Sequence, residues 1–423
     1  MTPPIEWSLA RRIGFRFAFV LGFLIVFPFP IGAFAWTDDL ETALNKPLKW
    51  GTAWLAHLIG APRPWDGPNG SGDTSYDYVR LLLCVLLAVL AAIVWSVIDR
   101  RRRAYPRLAE AARIVLRYYL IFVMLGYGGS KLLKHQFYDL APTVLHQRLG
   151  ETPPQRLLWA FMGYSLPYTF FAGFMEALGG VLLIWRRTTT LGALILVAVL
   201  TNVVLMNLCY DVPVKIGSSE LLAMAIVIAA PDVRRVLAAV LGRATPEVPP
   251  RPRMSTRRER IRCIVKIAVI ALLLLYEIPS ELRRPNHSDH GHELYGTWIV
   301  DTFVSDGVEH APLTTDHERW EAWAVNAGYS TIFFMDGKTE QRDPPGRNYY
   351  GVKVDPPTHT VKVNVDYVKG INETWTYSLP APDQLVIDCE HGGKKLHMVM
   401  HREPEGALLS RGFHWVNEWP NNL

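Results

Sequence analysis

Cysteine is scarce in this chain: four in 423 residues. Cys84, Cys209, Cys263 and Cys389 stand far apart, so there is no Cys-x-x-Cys pair, and Cys389 is alone in the carboxyl-terminal part. That spacing excludes a dithiol–disulfide shuttle run by this chain alone, and a bridge within its last third. Also missing are a glycine-rich phosphate loop, a Ser-His-Asp order and a metal motif, so the reaction class cannot be read from motifs and no metal is assigned. Charged residues make up only 20% of the chain, against 50% apolar.

What is present is a break in composition near residue 286. Before it, apolar runs alternate with arginine clusters; after it come short alternating segments separated by turns. A mean hydropathy of +0.11 is too polar for a protein that is membrane throughout, and the length suits two domains. Residues 1–285 are read as a polytopic helical membrane domain, and residues 286–423 as an extracytoplasmic antiparallel β-barrel. Runs of about 17–25 apolar residues can cross a hydrocarbon core about 30 Å thick. Seven are expected: 15–36, 79–98, 114–133, 168–185, 190–209, 214–230 and 264–280.

Arginines orient these spans, because short cytoplasmic loops accumulate Lys and Arg. Arg11, Arg12 and Arg16 precede the first span, Arg100–Arg103, Arg107 and Arg113 follow the second, and Arg186 and Arg187 follow the fourth. Arg234 through Arg262 fill the loop before the seventh. Loop 37–78 carries Asp38, Asp39, Glu41, Asp66, Asp73 and Asp77 instead. The pattern predicts a multi-pass inner-membrane protein with a cytoplasmic amino terminus and a periplasmic carboxyl-terminal domain. The net charge of +5 is then a topology signal, with the bilayer and not nucleic acid as partner. Ala33-Phe34-Ala35 resembles a signal-peptidase site. The apolar stretch before it exceeds the 7–15 residues typical of a signal sequence, which favours a retained helix.

Ionisable groups inside a bilayer cost about 2.5–3.5 kcal/mol each on insertion scales, so each one marks a candidate function. Glu176 lies near the middle of the fourth expected span, with Gly173, Ala177 and Gly180 offering a small face to a neighbouring helix. It is read as a clamp hydrogen-bonded to Asn202 or Tyr127, or as a proton-transfer or ligand group. Arg117 lies near the cytoplasmic end of its span, where its stem can snorkel to the headgroups. At the outer ends, Tyr127 and Lys131 close the third span. Asn207, Tyr210, Asp211, Lys215 and Glu220 lie around the turn between the fifth and sixth. Lys131 and Glu176 are the catalytic candidates. Tyr127, Asn207, Tyr210, Asp211, Lys215 and Glu220 are the ligand-binding candidates, forming a mixed-charge pocket; Asp211 and Lys215 equally suit a salt bridge locking the hairpin.

Arg113 to His135 with Gly-Gly-Ser-Lys, Tyr164-Ser165-Leu166-Pro167-Tyr168 leading to Glu176 and Gly179-Gly180, Arg186-Arg187, and the Asn207–Lys215 run occur in that order. Together, over residues 110–235, they are similar to the DoxX family of bacterial membrane proteins. The resemblance implies a four-helix membrane unit, often an accessory subunit of thiol or quinone redox systems. It makes a quinone the cofactor or ligand to expect, and a membrane or periplasmic redox protein the partner. Without paired cysteines, the thiol role does not transfer. Gly128-Gly129-Ser130-Lys131-Leu132, with a β-rich domain downstream, also resembles the vitamin K-dependent carboxylase superfamily. That likeness implies an enzyme in which Lys131 is a base. A third reading is an assembly factor that docks a periplasmic partner through its β domain.

Past residue 286, the three histidines and two acids of His287-Ser288-Asp289-His290-Gly291-His292-Glu293 could hold zinc or copper, but the run reads first as a polar linker. Strands are expected over 329–335, 349–354, 360–366, 374–379, 385–388 and 395–402, with turn residues between them. Sequential hairpins of this length favour a closed meander. Gly296-Thr297-Trp298 resembles the Gly-x-Trp signature of lipocalin-like barrels, which implies that Trp298 stacks on a late arginine, Arg402 or Arg411. Trp320, Trp323, Phe333, Phe334, Trp375 and Tyr377 can pack the interior or line a ligand cavity. The aromatic tail 413–420 is expected to tuck onto the barrel or the membrane interface.

Overall fold

The computed structural model describes residues 6–31, 35–61, 70–245, 292–339, 349–366 and 370–416, with single positions 257, 260, 264, 267 and 418. The chain divides into two compact units, Met1–Phe137 with Pro153–Arg284, and Tyr138–Thr152 with Pro285–Leu423. The first is helical and the second is built on a β-barrel.

Helix α1, Leu9–Val26, starts under a Ser8 cap and ends ten residues before the limit expected for the first span. Pro28 and Pro30 follow its end, and proline cannot supply the N–H that continues a helix. α2, Asp38–Leu58, occupies what read as an outer loop; Asp38, Asp39 and Glu41 sit in its first turn, where carboxylates favour the positive end of the helix dipole. α3, Ser75–Ile98, begins at a capping box in which Thr74 and Asp77 satisfy each other's backbone N–H groups. Leu55 and Ala56 of α2 pack against Val79 and Leu83 of α3.

The rest of this unit is α4 (Pro106–Leu132), α6 (Pro154–Tyr164), α7 (Leu166–Ile184), α8 (Thr189–Cys209), α9 (Lys215–Ala229) and the short α10 (Val233–Val240). α4, α7, α8 and α9 pack in a closed ring around Leu120, Ile121, Met124, Leu183, Leu196, Leu200, Leu221 and Ile228. The small face expected around Glu176 is where α4 and α7 touch. A Cβ added at Gly128 would lie 2.8 Å from Gly173 O, and one at Gly173 would lie 2.7 Å from Lys131 Cβ. Small residues here let two backbones approach closely. Among the described residues, α3, α7 and α8 are long and apolar enough to cross a membrane. The expected spans over α1, α4 and α9 are helical, but α1 and α4 carry several arginines and α9 has only 15 residues. The stretch 264–280 lies, apart from Ile264 and Ile267, outside the described residues.

In the second unit, strands β1 (Gly296–Ser305), β3 (Trp320–Val325), β4 (Tyr329–Phe334), β5 (Tyr350–Asp355), β6 (Thr360–Asp366), β7 (Ile371–Ala381), β8 (Gln384–His391) and β9 (Lys394–Arg402) form an antiparallel meander. Pairing of β1 with β9 closes it into an eight-stranded barrel, and the two-residue β2 (Val308–Glu309) extends β1. Alternation sends Val361 and Val363, Trp375 and Tyr377, Leu385 and Ile387, and Met398 and Met400 inward. On β1 the register shifts between Val300 and Thr302. The extra residue resets the phase, so Trp298, Val300 and Phe303 all face the core. Trp298, Trp323 and Trp375 are fully buried, so packed side chains fill the interior.

Tyr138–Thr152 belongs to this unit although it sits in sequence between α4 and α6. Its helix α5, Pro142–His146, packs on β3 and β1. Asn326 Nδ2 donates to Thr143 Oγ1 at 2.8 Å, His146 Nδ1 lies 3.0 Å from Glu403 Oε2, and its ring meets Phe333 edge to face at 4.8 Å. Beneath it Ala322, Ala324 and Phe333 form a small outer cluster.

Candidate functional site

α4 and α7 bring together the two groups expected to carry chemistry. Lys131 Nζ donates to Glu176 Oε2 at 2.7 Å, with the side chains 8% and 4% exposed. The ammonium also lies 5.6 Å from the Tyr127 ring centre and 5.9 Å from that of Phe137. Tyr127 is one turn before Lys131 on α4, which places both on one face, and its ring is half exposed. A buried ion pair confers little stability relative to apolar residues of the same size. Its chemical offer is a cation with N–H donors left over, an adjoining carboxylate and an aromatic wall.

The partner expected for Glu176 is therefore corrected. Neither Asn202 nor the Tyr127 hydroxyl holds it; Lys131 does, and Asn202 turns to Met206 Sδ at 3.9 Å. Asn207 is buried, and its Nδ2 donates to Ser218 Oγ at 3.0 Å across the α8–α9 turn. Tyr210 is exposed just past α8. Asp211 adopts the left-handed conformation, φ +51°, and its exposed carboxylate accepts from Lys215 Nζ at 2.8 Å. Lys215 also lies 3.7 Å from Asp73. Glu220 is half-buried on α9, within the electrostatic reach of Arg80 on α3.

Asp73 escaped sequence reading. Its carboxylate accepts the backbone N–H groups of Lys215 at 2.7 Å and Ile216 at 3.0 Å, which caps α9 from the loop before α3. Gly72 N–H donates to Pro213 O at 2.8 Å beside it. The run Ser71-Gly72-Asp73-Thr74 reads as the start of α3, and nothing in it points to a helix about 140 residues away (Asp73 to Lys215).

Most of these polar side chains fall into two bonded sets. Lys131, Glu176 and Tyr127 are the first; Asp73, Asp211 and Lys215 are the second. Among the described residues, no hydrogen bond or ion pair joins them. An apolar cluster of Phe137, Leu158, Met162 and Val212, flanked by Met206 and Val214, runs from the side of Lys131 to the turn that carries Asp211 and Lys215.

In the β unit, Arg402 takes the stacking position: its guanidinium carbon lies 4.3 Å from the Trp298 ring centre. It donates to Tyr295 O at 2.5 Å and Glu293 O at 2.9 Å, and Trp298 Nε1 donates to Leu294 O at 2.9 Å. Arg411 is exposed in the segment after β9. The described tail does not tuck onto the barrel: Phe413, Trp415 and Val416 are exposed, Trp415 at 91%. Cys84, Cys209 and Cys389 are free thiols. Burial pushes the Cys389 thiol up to about 12, so it carries no thiolate near neutral pH. Of the linker histidines, only His292 lies within the described residues; its Nε2 is 3.1 Å from Asn326 O, and burial lowers its pKa.

No family model matches the chain, and no solved structure matches it. The uncharacterized protein YwoB of Bacillus subtilis is 33% identical over 135 residues, which cover 31% of this chain and 86% of that protein.

Proposed function

Because this chain belongs to the same family as the uncharacterized Bacillus subtilis protein YwoB, a relative whose name carries no activity, we propose its function from the chemistry of its own buried groups. The protein binds a small lipophilic molecule of the quinone type within a DoxX-like bundle at the outer leaflet of the inner membrane. It serves as an accessory subunit of a membrane redox system. The observation that carries this reading is the Lys131–Glu176 pair, 2.7 Å apart and buried, with the half-exposed Tyr127 ring beside it. A quinone-like head needs a donor to its carbonyl, an acceptor for its hydroxyl when reduced, and an aromatic surface for its ring. Lys131, Glu176 and Tyr127 supply one each.

The rival reading of Lys131 as a catalytic base is weaker. Its ammonium already donates to a carboxylate, and it becomes a base only when that pair opens. A docking role for the β unit has one observation in its favour: its interior is filled by tryptophan and aliphatic side chains, so its outer surface is what it can offer a periplasmic partner.

The test is extraction of small molecules from protein purified in mild detergent, read by mass spectrometry and ultraviolet absorbance. Wild type should retain a quinone-like compound, and Lys131→Met/Glu176→Met should lose it. Equal retention in both, or none in either, refutes the reading.

A further inference from the structure

Arg117 lies 14 residues before Lys131 on α4, about 21 Å along the helix axis, near the arginine-rich end of the bundle. Snorkelling accounts poorly for it, because the residue is only 9% exposed. Its Nη1 donates to Thr189 Oγ1 at 3.3 Å, and its guanidinium lies 5.4 Å from the Tyr118 ring centre. Its buried Nε has no hydrogen-bond partner. Among the described residues no carboxylate stands within ion-pair distance of it, and the two acids nearby are engaged elsewhere. Asp232 accepts from Thr190 Oγ1 at 2.7 Å and pairs with Arg235 at 3.3 Å and Arg113 at 3.5 Å. Glu110 pairs with Arg186 at 3.5 Å.

An unpaired buried guanidinium is among the costliest groups a protein can hold, and removing that cost takes an anion. The surroundings have room for one. Arg113, Arg117, Arg186, Thr189 and Thr190 line a cavity of about 50 Å³, several times the ~10–15 Å³ that admits one water. Three guanidinium groups against two already committed carboxylates leave the wall net positive, and the Arg fork matches the oxygen geometry of phosphate.

We propose that this cavity is a binding site for a phosphate group, carried either by an anionic lipid headgroup or by free phosphate. The site lies on α4, α7–α8 and the α9–α10 junction, whereas the Lys131–Glu176 pair lies at the other end of α4. The two are therefore separable by mutation.

Full-length protein in phosphatidylcholine nanodiscs supplies the test. Thermal unfolding is followed while inorganic phosphate is titrated, and in parallel while phosphatidylglycerol replaces part of the phosphatidylcholine. An upward shift with phosphate assigns the free anion, and a shift with phosphatidylglycerol alone assigns the headgroup; either supports the site. Arg117→Met should abolish the shift, with an anion-free midpoint equal to or above that of wild type, because the unpaired charge is gone. Should that variant not fold, Arg117→Lys decides: it keeps the charge, lacks the fork, and should weaken the response at least tenfold in apparent affinity. No shift in wild type with either probe, or an undiminished shift in the variant that folds, overturns the proposal.

Discussion

Lys131→Met or Glu176→Met alone leaves one charge stranded among apolar side chains. Each should destabilise the bundle by about 3–5 kcal/mol. Lys131→Met/Glu176→Met removes both charges and should return stability to within about 1 kcal/mol of wild type, or above it. A double-mutant cycle on detergent unfolding checks this, and additive losses would mean that the two side chains do not interact. A second residue-scale expectation concerns pH. The backbone N–H of Lys338, His317 Nδ1 at 2.8 Å and the Lys338 ammonium at 3.1 Å hold the Asp336 carboxyl down to about 2. Its folded pKa is depressed below the ordinary value of about 3.9, so its stabilisation is complete above pH ~4 and disappears as pH falls through ~2. Asp336→Asn should therefore lower the barrel's unfolding midpoint at pH 5 and by much less at pH 2, measured by circular dichroism; a pH-independent difference would contradict this. Sequence made these residues legible in unequal measure. Lys131 and Glu176 were conspicuous as ionisable groups in apolar runs. Their pairing was not, because Asn202 and Tyr127 were equally available partners until the helix faces were known. Trp298 and Arg402 were easier, since closure of a meander sets the first strand beside the last, and they are direct cross-strand partners.

Elements followed their sequence signals wherever one face alone was buried. β6 to β9 alternate cleanly and matched expectation. β3 did not announce itself, because Trp320, Ala322, Trp323, Ala324 and Val325 are all buried and alternation vanishes when both faces are covered. The second cover is α5, from a segment more than 170 residues earlier (His146 to Trp320). α2 was missed for a different reason: its acids and Pro47 resemble a loop. The helix pair α4–α7 offers the sharpest test at this scale. A methyl at Gly173 would meet Lys131 Cβ at 2.7 Å and Gly128 O at 2.8 Å, and backbone atoms of a packed helix cannot step aside. Gly173→Ala should force the helices apart at a cost of about 1–3 kcal/mol and lengthen the ion pair. Gly129→Ala, whose Cβ would meet nothing, is the control and should leave the unfolding midpoint unchanged or raise it slightly, alanine being the better helix former. Equal effects of the two on the unfolding midpoint would remove the close contact.

At the scale of the whole molecule, membership of Tyr138–Thr152 in the barrel unit constrains how the chain threads. The segment is tied to the barrel by Thr143 with Asn326 and by His146 with Glu403, yet it is bonded in sequence to α4 at one end and α6 at the other. In the membrane arrangement proposed above, the connection after Lys131 therefore lies on the barrel's side of the bilayer. The same proposal, read from the arginine pattern, sets α10 on the opposite side. Single cysteines at exposed Leu149, Val308 and Val240, in a chain freed of its four native cysteines, make the arrangement measurable. With an impermeant maleimide added to intact spheroplasts, Leu149→Cys and Val308→Cys should label together before lysis, and Val240→Cys only after it. Labelling that separates 149 from 308 would contradict the shared unit. Joint labelling of 149 and 308 only after lysis would put the barrel in the cytoplasm, and with it the outer-leaflet assignment of the Lys131–Glu176 site would fail.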